Sequence, residues 1–131
     1  MVTRRPTGHS AAIAGGVRLV LVRGLEGLAE RLEVIRGAAP SGPVQVRMNG
    51  ATYLADLMGG QKTGLFFDQR PNQAFAQRLA KDAVVLDVFS HVGGFGLAAL
   101  AAGAVRATCV DGSAAALDLA KGGAVRVVPV G

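Results

Sequence analysis

The rhythm of apolar and polar positions changes several times along this chain. Val17–Val22 alternates weakly and is rich in β-branched residues, which predicts a strand. Residues 1–16 carry Arg4, Arg5, Pro6, Gly8, Gly15 and Gly16 without a comparable pattern, and read as an arm or linker. Residues 24–31 are open between a loop and a short helix. After the break at Pro40-Ser41-Gly42-Pro43, Val44, Val46 and Met48 alternate with Gln45 and Arg47. Asn49-Gly50 follows, a dipeptide that tolerates positive φ at both positions and so signals a hairpin. Residues 51–57 are the return strand, which Gly59 and Gly60 end.

Helical spacing then takes over. Asp68 is placed to cap a helix beginning near Pro71, a residue suited to a first helical position. Residues 72–81 put Phe75, Ala76 and Leu79 on one side, the side expected to be buried. Val84, Val85, Leu86 and Val88 then form a short apolar run, as in a parallel strand covered on both faces. A turn with Gly93 and Gly94 leads into a second helix over residues 95–102, with Gly103 as its stop. Residues 107–111 are the next strand, and Ser113 is a good cap for a third helix over 114–121, stopped by Gly122 and Gly123. Residues 124–131 read as a last strand whose end is weakened by Pro129. The expected fold class is α/β: a parallel sheet with helices, preceded by a β-hairpin. Two divisions follow, an arm and linker over 1–42 and the hairpin with its α/β unit over 43–131.

The chemistry concentrates at the strand ends. In open α/β sheets ligands bind beyond the carboxyl ends of the strands. Asp87 stands near the end of one strand and Asp111 at the end of the next. A carboxylate at the second tip is placed to accept hydrogen bonds from two ribose hydroxyls, while Gly93, lacking a Cβ, offers the closest approach of backbone to ligand. Together these describe a site for a nucleoside cofactor. Two classes fit. Gly94-Phe95-Gly96-Leu97-Ala98-Ala99 matches the dinucleotide pattern G-x-G-x-x-A, the basis for an NAD(P)-dependent oxidoreductase as the alternative. That pattern begins at the strand end, however, whereas Phe89 to Gly93 intervene here. An acid inside the strand end and a longer turn suit S-adenosylmethionine, which has no pyrophosphate and carries an ammonium that a carboxylate can neutralise.

Composition narrows the classes without choosing among them. At 131 residues, 50% hydrophobic, the chain is one domain or a piece of one. No run approaches a membrane span and no secretory pattern opens the sequence. Cys109 is the single cysteine, so there is no internal disulfide, and a cytoplasmic location is expected. The net charge of +5 is compatible with an RNA partner. His9 and His91, the two histidines, lack metal-ligand spacing, so no metal site is expected. Cys109 lies in an apolar strand, the setting of an inert core thiol.

Two motifs carry a resemblance to a known family. Leu86-Asp87-Val88-Phe89-Ser90-His91-Val92-Gly93-Gly94-Phe95-Gly96 resembles the first motif of class I methyltransferases in its Phe-Ser-x-x-Gly-Gly-Phe form. Gly60-Gln61-Lys62-Thr63-Gly64-Leu65-Phe66-Phe67-Asp68-Gln69-Arg70 resembles the second hallmark, Gln-Lys-Thr-Gly-x-x-x-Asp-Gln-Arg, of the 23S ribosomal RNA cytosine-C5 methyltransferases that carry an N-terminal PUA domain. The likeness runs from about Arg23 to Lys121. It implies a Rossmann-like class I methyltransferase sheet, here the front part of the catalytic domain, with S-adenosyl-L-methionine as cofactor and ribosomal RNA as substrate. Cofactor contacts are implied at Lys62, Thr63, Gly64, Asp87, Phe89, Ser90, Gly93 and Asp111, with Lys62 to Gly64 near the methionine end and Phe89 packed beneath the turn.

The tail departs from the family, because no acid that would contact adenine follows the last strand. The family's cysteine nucleophile and its substrate loop lie beyond residue 131, so no catalytic residue is assigned, and a catalytically inactive cofactor-binding chain is the alternative. So short a sheet leaves an apolar edge open. A truncated or frameshifted gene product, or one part of a homodimer, is therefore expected.

Overall fold

The computed structural model describes residues 9–14, 17–22, 31–59, 65–122 and 126–130; before residue 37, and at Arg126 and Val127, it describes backbone alone. Three antiparallel strands come first: β1 (His9–Ala14), β2 (Val17–Val22) and β3 (Arg31–Arg36), in the order β1-β2-β3 with an irregularity at Arg18/Leu19. The strand at Val17–Val22 is where its β-branched pattern put it. The stretch read as an arm contains β1 as well, whose pairing with β2 supplies the hydrogen bonds that its own weak pattern did not announce.

β4 (Val44–Met48) and β5 (Ala51–Ala55) form the hairpin around Asn49-Gly50, with φ of 51° and 75° at the two turn residues. Tyr53 and Ala55 on β5 are fully buried, so the hairpin is part of the core. A short 3-10 turn (Phe67–Gln69) leads into α1 (Arg70–Gln77), with Pro71 in its first turn. Asp68 does not cap this helix: Gln69 is the cap residue, without a side-chain cap bond, and Asp68 instead accepts from Gln69 Nε2 at 3.4 Å.

α1 ends at Gln77, short of the residue 81 that the helical spacing predicts, and the apolar side expected to be buried is not. Phe75 and Leu79 are 57% and 72% exposed, whereas Gln73 and Ala80 are buried. The polar side chains of α1 make the interior contacts. Gln77 Nε2 donates to Asn49 O at 2.7 Å and Ala98 O at 2.8 Å, tying the hairpin turn to the next helix.

The parallel sheet contains β6 (Val84–Val88), β7 (Arg106–Asp111) and β8 (Arg126–Pro129), in the order β6-β7-β8, with Asp87 beside Cys109 and Asp111 beside Pro129. α2 (Gly94–Ala101) and α3 (Ala114–Lys121) connect them. Ser113 Oγ caps α3 by accepting from Ala116 N, as its residue type predicts. Gly96, Leu97, Ala98 and Ala99 of α2, Ala116, Leu117 and Ala120 of α3, Ala107 and Cys109 of β7 and the hairpin residues enclose one core. On the other face of β6, Val84, Leu86 and Val88 are 63%, 66% and 50% exposed, so the strand expected to be covered on both faces is covered on one: among the described residues nothing packs on the second face.

Candidate functional site

The turn between β6 and α2 is built on two carboxylates, and each is engaged by backbone. Asp87 is buried and its Oδ2 accepts from Phe95 N at 3.2 Å and Gly96 N at 2.8 Å. Those are donors of the first turn of α2, which have no partner inside the helix. A negative charge there also meets the positive end of the helix dipole. Burial holds the Asp87 carboxyl above its ordinary value, the two N–H donors pull it back, and the charge of Asp111 pushes it up again.

Asp111, at the tip of β7, grips the other side of the turn. Its Oδ2 accepts from His91 N at 2.8 Å and its Oδ1 from Ser113 N at 2.8 Å. One side chain therefore ties the cofactor turn to the start of α3. With one such bond on each oxygen, a lone pair remains on both, the number needed for two ribose hydroxyls.

The turn itself is conformationally costly. Phe89 and His91 have φ of 58° and 51°, left-handed values rare for residues with a Cβ. Such strain collects at ligand sites, where the surrounding structure enforces it. The left-handed backbone swings Phe89 outward, so that it is 89% exposed and not packed beneath the turn as expected. The ring of His91 meets Phe66 edge-on with centroids 5.1 Å apart, bringing the second hallmark segment to the turn. Ser90 is buried; its N–H donates across to Val110 O at 3.1 Å, and its carbonyl receives Gly93 N and Gly94 N.

Gly93 has φ of 81°, which only glycine adopts at little cost. The reason for a glycine here is not the expected one. A Cβ at Gly93 would stand 3.3 Å from Ala120 Cβ, 3.3 Å from Leu97 Cγ and 3.5 Å from Cys109 Sγ, so the residue faces the core. Gly96 is tighter still, its Cβ position lying 2.6 Å from Cys109 Sγ. Gly96 thus serves the seating of α2 on β7, while Gly94 makes room for Gln73 of α1. Because Asp87 already occupies the N–H groups of Phe95 and Gly96, they are not free to cradle a pyrophosphate, which removes the physical basis of the dinucleotide alternative.

Cys109 is fully buried and its thiol is pushed up to about 11, by burial first and then by Asp87, with the Ser90 hydroxyl acting in the opposite direction. That is the inert core thiol expected from its position. Lys62, Thr63 and Gly64 lie outside the described residues. Two contributors were not legible in the sequence. Tyr53, on the hairpin, donates its hydroxyl to Gly94 O at 3.0 Å. Gln73, on α1, sets its carboxamide against Gly94, with Nε2 2.8 Å from where a Cβ would stand. Only their burial, at 0% and 3% exposure, marks them.

The arrangement suits a cation-bearing nucleoside: buried negative charge, two acceptor oxygens at a strand tip and a strained turn between them. Comparisons with known proteins agree with this geometry. The chain is 48% identical over 103 residues to a protein of Tolumonas auensis named Ribosomal RNA large subunit methyltransferase I, covering 78% of this chain and 26% of that protein. With the protein of the same name from Aeromonas salmonicida it shares 44% over 102 residues, again covering 78% and 26%. The chain thus spans about a quarter of the length of the curated relatives it matches. The crystal structure of a SAM-dependent methyltransferase from Agrobacterium tumefaciens superposes with a TM-score of 0.71 at 19% identity, over 93% of this chain and 49% of that one, a likeness of fold. The profile of the S-adenosylmethionine-dependent methyltransferases matches residues 6–126, and the chain belongs to that family, whose methyl donor is S-adenosylmethionine.

Proposed function

We propose that this chain is the donor-binding part of a ribosomal RNA methyltransferase acting on cytosine C5 of 23S ribosomal RNA. The relatives' shared name supports the ribosomal RNA substrate, and the two sequence hallmarks support the finer assignment. In this reading residues 43–131 form the donor-binding unit. The donor's ribose lies against Asp111, and its charged centre lies in the field of Asp87 and Asp111. Phe89, Ser90 and Gly93 shape the turn that receives it, and Lys62, Thr63 and Gly64 approach its methionine end. Bound there, S-adenosylmethionine supplies an electrophilic methyl group. What these residues contribute is orientation and charge neutralisation.

The observation that carries the reading is Asp111, whose two oxygens each keep an acceptor position at the strand tip while holding the turn in place. Titration calorimetry with S-adenosylhomocysteine tests it. Asp111→Ala removes two hydrogen bonds to a charged acceptor, and is expected to cut affinity at least about tenfold. Circular dichroism would confirm that the variant is folded. Wild-type affinity in a folded Asp111→Ala protein would refute the assignment. A methyl-transfer assay on large-subunit RNA tests the second part separately: residues 1–131 alone are expected to give no turnover, and turnover by them would refute the reading of this chain as the donor-binding part.

A further inference from the structure

The outer side of α1 presents an aromatic ring and a cation together. Gln73 and Ala80 are buried on the inner side, while Phe75 stands outside, 57% exposed. Pro71, Ala74, Phe75 and the cap residue Arg78 share the outer side at three- and four-residue spacings, and all four are exposed. The Arg78 guanidinium lies over the Phe75 ring, 5.1 Å from its centroid, a cation on an aromatic face. Pro71 and Ala74 carry no long side chain that would cover this stack. The segment begins beside the β6–α2 turn, where Phe66 meets His91. Phe66 and Phe67 are 39% and 43% exposed. Three of the chain's five phenylalanines thus stand at the surface between that turn and the end of α1, outside the core.

The charge of this stretch has one sign. Arg70 to Lys81 holds three basic residues and no acidic one, with Asp68 and Asp82 flanking it. Among the described residues no ion pair engages Arg70, Arg78 or Lys81; the ion pair there joins Lys121 to Asp118. Arg70 Nε instead donates to Asn49 Oδ1 at 3.4 Å, which holds that cation against the hairpin turn. An exposed ring beneath a guanidinium fits a partner with flat apolar faces and negative charge. Unpaired bases offer the faces and phosphates the charge, whereas a duplex keeps its base faces covered. A purely apolar protein surface would bury Arg78 without a counter-charge. We propose that the outer side of α1 is a docking surface for single-stranded RNA, a base stacking on the Phe75–Arg78 pair and phosphate lying in the field of Arg70 and Lys81. A strand held there runs toward the donor turn through Phe66. This rests on the ribosomal RNA substrate proposed above.

Fluorescence anisotropy of a labelled single-stranded oligoribonucleotide, titrated with the full chain, tests the surface. Phe75→Ala is expected to weaken binding at least about fivefold, and Phe75→Trp, which keeps a stacking face, to retain it. Arg78→Ala is expected to weaken binding and to lower the slope of log affinity against log salt by about 0.7, the share of one phosphate on a single strand. A duplex of the same sequence is expected to bind more weakly than the single strand. Each variant is expected to keep its S-adenosylhomocysteine affinity by calorimetry, since both side chains point away from the core. Unchanged RNA affinity in Phe75→Ala and Arg78→Ala would overturn the proposal while the ribosomal RNA reading stands, and so would equal affinity for the duplex. Equal loss in Phe75→Ala and Phe75→Trp would also overturn it, because stacking would not be the cause. A wild-type chain that binds S-adenosylhomocysteine but no oligonucleotide would overturn it and leave this face to a protein partner. A chain that binds neither would overturn the donor-binding reading as well.

Discussion

Replacing Gly96 by alanine sets two effects of opposite sign against each other. In the middle of an exposed helix, glycine to alanine gains about 1 kcal/mol. Here the added Cβ would stand 2.6 Å from Cys109 Sγ and 3.5 Å from Asp87 Oδ2. An ordinary carbon contact is about 3.5–4.0 Å, so roughly 1 Å of displacement is needed. Neither neighbour yields easily: Cys109 is in the middle of β7 and fully buried, and Asp87 is held by the N–H of Gly96 itself. Overpacking of this kind costs about 1–3 kcal/mol. Gly96→Ala is therefore expected to destabilise by up to about 2 kcal/mol net, read as a lower urea midpoint by circular dichroism. The sulfur is the atom that collides. Cys109→Ala in the Gly96→Ala background is accordingly expected to recover most of the loss, with a favourable coupling of at least about 1 kcal/mol in a double-mutant cycle. A Gly96→Ala variant more stable than wild type would refute the claim that this glycine seats α2 on β7, as would additive effects of the two substitutions.

Further outcomes follow from the same contacts. Tyr53→Phe removes the donor to Gly94 O; urea unfolding is expected to show a loss of about 0.5–1.5 kcal/mol, the net worth of one part-buried hydrogen bond. The Cys109 thiol titrates at about 11 in the folded chain against an ordinary 9.0. The unfolded chain thus releases that proton first, and stability is expected to fall as pH rises between these values, by roughly 2–3 kcal/mol at one pKa unit per 1.36 kcal/mol. The difference in urea stability between wild type and Cys109→Ala across that range isolates the effect. Asp87 is raised in the same direction, so its contribution is largest below its ordinary 3.8 and declines as pH climbs through the folded value. An Asp87→Asn comparison between pH 3 and 7 reads that slope.

Much of the fold was legible because local pattern and local chemistry agree. The Asn49-Gly50 turn, the apolar run Val84–Val88, the Ser113 cap and the acid ending β7 each follow from a residue's own conformational preference or from a short period. Those signals do not need the rest of the chain. The buried face of α1 defies its local pattern for the opposite reason. Phe75 and Leu79 have the hydrophobicity that predicts burial, yet Gln73 and Gln77 take the interior because carbonyls of Asn49 and Ala98 and the bare Cα of Gly94 lie there. Phe89 points outward because a left-handed φ redirects its side chain, and no periodicity records that.

Two acids at neighbouring strand tips around a glycine turn can be read from the order of residues alone, since strand, turn and helix are each set by residues close in the chain. What the acids hold was decided only in three dimensions. Asp87 reaches forward to the N–H groups of α2, and Asp111 reaches across from the next strand to His91. The glycines turned out to admit neighbouring helices, and the hairpin turned out to support the site through Tyr53. The physical reason is that hydrogen-bond partners and van der Waals neighbours depend on distance in space. Residues such as Tyr53 and Gly94, 41 positions apart, meet only when the whole core has closed around them.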